Sequence, residues 1–152
     1  MMLLAFDPGG HTGYCLMDVN TNTHEVDITD YGYFYRSDYI AELVGEADIV
    51  VSEHITAPGR KAFNMVGIEV MGVIKDCCQR SDKVLVWQQP SCMQAPLKWG
   101  IVDSKDFTSE HAKDAVCHAA YYLVCALGFR PVERVRLTYD PAAYVTKDLS
   151  RY

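Results

Sequence analysis

The sequence predicts an α/β domain built on a mixed five-stranded sheet, three antiparallel strands followed by two parallel ones, with helices on its faces. Apolar runs at residues 3–6 and 49–51 show no alternation, which is typical of strands buried on both faces. Longer segments at residues 62–80 and 108–127 repeat apolar residues at helical spacing. This order of strands and helices favours one sheet covered by helices.

The first three predicted strands form an antiparallel meander. Residues 3–6 end in a turn at residues 7–10, and the second strand follows at 14–19. After a polar turn at 20–23, a third strand rich in aromatic residues covers 31–35.

Helices and strands alternate in the rest of the chain. Ser37 is placed to cap a short helix through Val44, and Glu53 stands at the end of the strand at 49–51. The later elements are a helix at 62–80, a strand at 84–87, a helix or turn at 90–99, a polar loop at 100–106 and a helix at 108–127 that Gly128 ends. We therefore expect a domain over residues 1–128, with residues 129–152 as its packed extension or a loose tail.

Length and composition predict a single ordinary domain. The chain has 152 residues, 49% of them hydrophobic and 22% charged, which allows a core without disulfides or a structural metal. The N-terminus carries no basic residue before Asp7, unlike a signal peptide, and no apolar run has the length of a membrane span. We expect a cytoplasmic protein with no membrane partner.

The net charge of −6 argues at first against a nucleic-acid partner. The charge is uneven, however: residues 1–53 carry ten acidic residues and one basic residue, whereas residues 54–152 carry ten acidic and thirteen basic residues, giving −9 and +3. Contacts with a polyanion are therefore expected from the later part of the chain.

Two acidic residues directly follow buried strands. If the crossover helix places these strands side by side, roughly 4.8 Å apart, Asp7 and Glu53 share one small volume. Burying a carboxylate is costly unless water, a cation or a hydrogen-bond donor compensates it. A divalent metal ion is one solution, and for either acid alone a turn cap at the strand end is the other interpretation.

The last predicted helix carries a polar stripe. At about 100° per residue, His111, Asp114 and His118 lie together beside an apolar face rich in alanine. The small alanines allow a close approach to the sheet, which would bring His111 and Asp114 towards the strand ends. His118 is expected behind them, as a hydrogen-bonding residue at the edge of the core.

Three carboxylates and a histidine of this kind favour magnesium, a hard cation that binds carboxylates, water and phosphate oxygens. Two magnesium ions, with manganese as a substitute, could activate a water and stabilise the leaving oxygen of a phosphodiester. The pattern therefore predicts a metal-dependent nuclease.

Four segments together resemble the phage RuvC-like Holliday junction resolvases, which are nucleases of the RNase H-like superfamily. They follow the family's order over roughly the first 128 residues: residues 7–13 (DPGGHTG), 49–53 (IVVSE), 70–75 (VMGVIK) and 111–119 (HAKDAVCHA). The resemblance implies an RNase H-like fold, a homodimer, and hydrolysis of branched DNA to 5′-phosphate and 3′-hydroxyl ends. A phage-encoded protein would act in the cytoplasm of the host cell.

The resemblance also implies roles for individual residues. Asp7, Glu53 and Asp114 match the acidic positions of the family and are the expected catalytic residues and magnesium ligands. His111 stands where many members have another aspartate, so it could either complete the metal site or act in proton transfer.

Candidate DNA contacts surround these positions: Arg60, Lys61, Phe63, Lys98, Lys105 and Lys113. Phe63 could stack on an exposed base at a junction, although core packing is the other interpretation. Each lysine taken alone could be an ordinary solvated charge.

Two other functions stay open. A catalytically silent RNase H-like protein could bind DNA or act as a scaffold: the acidic net charge keeps this alternative open, and the presence of Asp7, Glu53 and Asp114 together speaks against it. Actin-like nucleotide-binding proteins open with a similar aspartate and glycine turn, but they need two such domains, and this length allows one.

Overall fold

The computed structural model describes residues 1–35, 37–56 and 65–130. The strands are β1 (Met2–Asp7), β2 (Thr12–Asn20), β3 (Glu25–Phe34), β4 (Ile49–Glu53) and β5 (Val84–Gln88), and the helices are α1 (Asp38–Glu46), α2 (Met65–Arg80), α3 (Gln94–Lys98) and α4 (Glu110–Cys125). Two short 3₁₀ turns cover Pro90–Met93 and Ser104–Asp106. None of the helices in these ranges is long and apolar enough to cross a membrane.

The strands form a five-stranded sheet in the order β3-β2-β1-β4-β5. The β1–β2 and β2–β3 pairs are antiparallel, whereas β1–β4 and β4–β5 are parallel, which confirms the predicted mixed sheet. In the β1–β4 pair, Leu3 lies opposite Ile49 and Phe6 opposite Ser52. Asp7 and Glu53 therefore end neighbouring strands at the same edge of the sheet.

Each face of the sheet has its own hydrophobic core, because alternate residues of a strand point to opposite faces. On one face α4 packs on the sheet, and this core includes Leu3, Ala5, Cys15, Val116 and Leu123. On the other face α1 and α2 cover a core that includes Leu4, Phe6, Ile40, Val44 and Ile74. The sheet is thus a central layer between helices, as predicted.

Two segments differ from the sequence prediction. Strand β3 begins at Glu25, six residues before the predicted start, and its first half alternates exposed acidic residues with half-buried Val26 and Ile28. Acidic residues are depleted in strands, so this half carries a weak strand signal. The predicted polar loop at 100–106 is wrong for Ile101 and Val102, which are buried in the α4-side core.

Helix ends also differ in detail. Ser37 occupies the position before α1, but within the described structure its side chain makes no capping hydrogen bond. Helix α4 is capped by Ser109, whose side chain accepts from the Ala112 N–H. After α4, Gly128 has a φ of +72°, and Phe129 packs into the α4-side core. The packed chain therefore reaches Phe129, and residues 131–152 lie outside the described part.

Candidate active site

A cleft of about 600 Å³ opens at the shared edge where β1 and β4 end. All four predicted catalytic residues line it, and they come from β1, β4 and α4. Its lining is Asp7, Pro8, Gly9, Gly10, Glu53, Ile55, Pro90, Ser91, Met93, Gln94, His111 and Asp114. The structure thus brings together residues that lie up to about a hundred positions apart in the chain.

Helix α4 reaches the cleft because β2 carries a glycine beneath its first turn. A Cβ atom at Gly13 would lie 1.9 Å from the carbonyl oxygen of His111 and 3.0 Å from the amide nitrogen of Ala112. Real Cβ atoms do not approach backbone so closely, so only glycine permits this packing. The close contact fixes the position of the His111 backbone, from which the side chain extends to Asp7.

In the cleft, the side chain of Asp7 is hydrogen-bonded to that of His111. The His111 Nδ1 lies 3.0 Å from Asp7 Oδ2, and a protonated Nδ1 donates to an ionised carboxylate. Burial raises the pKa of Asp7 to about 6, the hydrogen bond from His111 lowers it, and the nearby Glu53 and Asp114 raise it. Three carboxylates therefore interact electrostatically across one cleft.

Glu53 is held by a fully buried histidine that is itself held by β5. The His118 Nε2 lies 3.2 Å from Glu53 Oε2, and His118 Nδ1 lies 2.7 Å from Gln88 Oε1. The Gln88 amide donates through Nε2 to the His118 carbonyl oxygen at 3.2 Å, which fixes the orientation of the amide. Gln88 Oε1 therefore accepts from the His118 Nδ1–H group, and His118 Nε2 faces Glu53, to which it donates when the ring carries both protons.

The sequence prediction placed His118 behind the site; the structure places it fully buried, outside the cleft lining and in contact with Glu53. Gln88 was missed, because a glutamine at a strand end next to a second glutamine resembles an ordinary surface residue. Its only sequence signal is that it follows the apolar run of β5, as Glu53 follows that of β4.

Asp114 faces Lys113 as well as the cleft. The Lys113 Nζ lies 3.4 Å from Asp114 Oδ1 and also pairs with Glu110. Burial raises the pKa of Asp114, and Lys113 lowers it. The hydrogen bond with Glu110 raises the pKa of Lys113, so Lys113 stays charged beside Asp114.

The donor set fits a hard divalent cation in its chemistry. Asp114 Oδ1 is buried and has the Lys113 ammonium at 3.4 Å, and the carboxylates raise the pKa of Asp7, so a divalent cation in the cleft would relieve the repulsion among them. Among residues 1–35, 37–56 and 65–130, however, no three His, Cys, Asp or Glu side chains already converge as ligands of one ion. His111 and His118 each engage one carboxylate oxygen, so metal binding requires side-chain rotation or use of the second oxygen.

Exposed aromatic rings adjoin the cleft, and the sequence analysis did not single them out. The His11 ring stacks on His111 at 5.4 Å between centroids, and Tyr33 and Tyr35 contact His11 at 5.7 Å and 4.2 Å. The alternation of Tyr31, Tyr33 and Tyr35 along one strand face was the available signal.

The predicted DNA contacts fall into three groups. Arg60, Lys61 and Phe63 lie outside the described residues. Lys98 and Lys105 are exposed, whereas Lys113 is only 8% exposed and is ion-paired. A phosphate contact by Lys113 would require these ion pairs to open.

This mixed five-stranded sheet between helices has the RNase H-like fold of solved resolvase structures. Among solved structures, RuvC from Thermus thermophilus in complex with a Holliday junction substrate has a TM-score of 0.61, 14% identity, and coverage of 84% of this chain and 98% of that chain. The fowlpox virus Holliday junction resolvase has a TM-score of 0.58, 12% identity, and coverage of 81% and 97%. No family model matches the sequence, and no curated protein matches it significantly.

Proposed function

We propose that this protein is a magnesium-dependent endonuclease that cuts branched DNA, with the four-way Holliday junction as its substrate. The observation that carries the proposal is the convergence of Asp7, Glu53 and Asp114, from β1, β4 and α4, in one cleft. It is supported by the fold, which is shared with two resolvases whose structures include Holliday junction DNA.

In the proposed reaction, a water attacks phosphorus, the bond from phosphorus to the 3′ oxygen breaks, and a proton from the water reaches the leaving oxygen. Asp7, Glu53 and Asp114 would hold two magnesium ions, and His111 would complete the set. The ions would supply Lewis-acid stabilisation of the phosphate and the leaving group, with manganese as a substitute.

The histidines have different proposed roles. His111 orients Asp7 through Nδ1, and its other ring nitrogen would either bind a cation or take up and release a proton. His118 is fully buried, so it acts on the reaction through Glu53, whose carboxylate it holds in position. The proposal includes a homodimer, because a symmetric pair of cuts across a junction needs two clefts.

A catalytically silent DNA-binding protein is the second candidate. The ion pair between Lys113 and Asp114 favours it, because an internal ammonium group already compensates one of the three carboxylates. This candidate requires junction binding without hydrolysis.

Cleavage of a synthetic four-way junction, compared with a linear duplex of the same sequence, tests the proposal. We expect wild-type protein with magnesium to make paired nicks near the branch and EDTA to abolish them. Asp7→Asn should lower the cleavage rate at least a hundredfold, because it removes a charge from the cation site. The matched control is Asp18→Asn, an exposed carboxylate at the far end of the sheet, which should cleave at the wild-type rate.

Each outcome of this assay has a defined meaning. Binding without cleavage by wild-type protein would favour the silent DNA-binding candidate. Full activity of Asp7→Asn, or equal cutting of the linear duplex, would contradict the proposed mechanism or the proposed selectivity. Inertness towards both DNAs would reject the nuclease proposal.

A further inference from the structure

Beside the cleft lies an exposed aromatic surface, formed by His11, Tyr33 and Tyr35. Tyr33 is 45% exposed and Tyr35 is 71% exposed, although both rings are large and mostly apolar. Tyr31 points to the same sheet face but packs against Phe107 under α4. In the described structure the two outer tyrosines thus contact His11 and stay exposed.

The three rings contact one another edge to face. Tyr33 and Tyr35 meet His11 at interplanar angles of 80° and 65°, and they meet each other at 72°. Edge-to-face contacts of this kind stabilise a cluster. Because Tyr35 stays 71% exposed despite these contacts, much of its ring surface is open to another flat ring.

The surface is continuous with the proposed catalytic residues. His11 stacks on His111 at an interplanar angle of 28°, and His111 is hydrogen-bonded to Asp7. One intervening ring therefore separates the tyrosines from a histidine of the cleft. A nucleotide whose phosphate lies in the cleft would have its base within reach of this surface.

Charge favours a stacking contact here over a phosphate contact. Residues 1–53, which include all three rings, carry ten acidic residues and a single basic one, Arg36, so they offer few cationic groups to phosphates. Phosphate binding needs cationic groups, whereas aromatic stacking on a base needs none and tolerates any sequence.

We propose that His11, Tyr33 and Tyr35 form a stacking site for an unpaired DNA base beside the phosphodiester bond that is cut. This inference builds on the proposed function and specifies part of its substrate: a nucleotide unstacked from its neighbours, as occurs at a branch point. Stacking on a protein ring would offset the cost of unstacking that base, so the site would favour branches over linear duplex.

The test combines a protein variant with a DNA variant. Four-way junctions are prepared with one abasic nucleotide at each position near the mapped cut, and affinity is measured by fluorescence anisotropy with calcium in place of magnesium. Tyr35→Leu removes the ring, and Tyr35→Phe keeps it. Because Tyr35 is largely exposed, neither change should impair folding, and thermal unfolding checks this.

On the intact junction we expect Tyr35→Leu to weaken binding about five- to tenfold and Tyr35→Phe to stay within twofold of wild type, because the ring provides the stacking. At one abasic position, wild-type protein should lose the same factor and Tyr35→Leu should lose nothing more. The control Tyr39→Leu, on the opposite face of the sheet, should bind the intact junction like wild type and lose the same factor as wild type at that abasic position.

An unchanged affinity of Tyr35→Leu, or a loss that adds fully to that of every abasic position, would overturn the stacking site while leaving the nuclease proposal intact. Wild-type protein that neither binds nor cuts the intact junction would overturn both proposals. These results are distinguishable because the failure of the stacking site is seen with Tyr35→Leu, whereas the failure of the nuclease proposal is seen with wild-type protein.

Discussion

At the scale of one residue, the buried carboxylate of Asp7 lowers the stability of the folded protein. It is buried, and it faces two other carboxylates, so its pKa lies near 6 instead of near 3.8. A raised pKa means that the folded protein binds the proton more tightly than the unfolded chain does. The folded state is therefore penalised as pH rises from about 4 to about 6, and the penalty stays constant above that.

Asp7→Asn should therefore stabilise the metal-free protein at alkaline pH. In EDTA at pH 8 we expect the free energy of unfolding to rise by about 1–3 kcal/mol, the upper value being the full electrostatic penalty. The gain should fall to about a few tenths of a kcal/mol near pH 3.5, where the carboxyl is mostly protonated in both states. Urea unfolding of both proteins at the two pH values measures this.

The contrary result would be a variant no more stable than wild type at pH 8. Magnesium provides an internal control, because it should stabilise wild-type protein through the carboxylates and have less effect on the variant.

At the scale of elements, the packing of α4 on β2 sets the geometry of the cleft. The backbone at Gly13 touches that at His111, so the position of two cleft residues depends on the absence of one methyl group. The alanine-rich face of α4, which the sequence did reveal, completes this close approach.

Gly13→Ala should therefore damage both stability and activity. We expect a loss of at least about 1–3 kcal/mol in the free energy of unfolding, because a crowded core must shift its backbone. Cleavage should fall about a hundredfold, since displacement of catalytic groups by about 1 Å has that effect.

Gly45→Ala is the matched control, because a Cβ atom at this position in α1 meets no atom within 4 Å. It should leave cleavage unchanged and raise stability by up to about 1 kcal/mol through helix propensity. Equal behaviour of the two variants in denaturation and cleavage would show that the contact at Gly13 does not position α4.

The sequence predicted those features that follow from local periodicity. The strand ends at Asp7 and Glu53 and the helical stripe at His111 and Asp114 are read from spacing alone, and the structure brings these residues together. Gln88 could not be predicted, because its role depends on contact with a histidine thirty residues away. The exposed rings at His11, Tyr33 and Tyr35 likewise arise only when a turn, an edge strand and α4 meet.

At the scale of the whole molecule, the net charge of −6 opposes contact with DNA, and the carboxylates concentrate negative charge where a phosphate would bind. Long-range electrostatic attraction therefore cannot bring DNA to the cleft unless a cation is bound there. Metal binding and DNA binding should be coupled.

This coupling predicts a reversal of affinities. In EDTA at low ionic strength, Asp7→Asn should bind a four-way junction about three- to fivefold more tightly than wild type, because one repulsive charge is gone. In calcium the order should reverse, and wild-type protein should bind the junction more tightly than Asp7→Asn does. Fluorescence anisotropy in both buffers, repeated at higher salt, measures the reversal, and its EDTA component should shrink as salt screens the charges. Wild-type binding that is equally tight in both buffers would contradict the coupling.

The first residue lies at the end of β1 away from the cleft. Met2 is opposite Asp18 in the β1–β2 pair, whereas Asp7 is opposite Gly13, so the six residues of β1 put about 20 Å between the amino terminus and the cleft. Cys125 is an exposed free thiol and Cys77 and Cys92 are partly exposed ones, so a maleimide dye would not label one chosen position. A fluorophore or surface tether attached through the amino terminus would instead hold single molecules with the cleft facing solution, ready for real-time observation of junction capture.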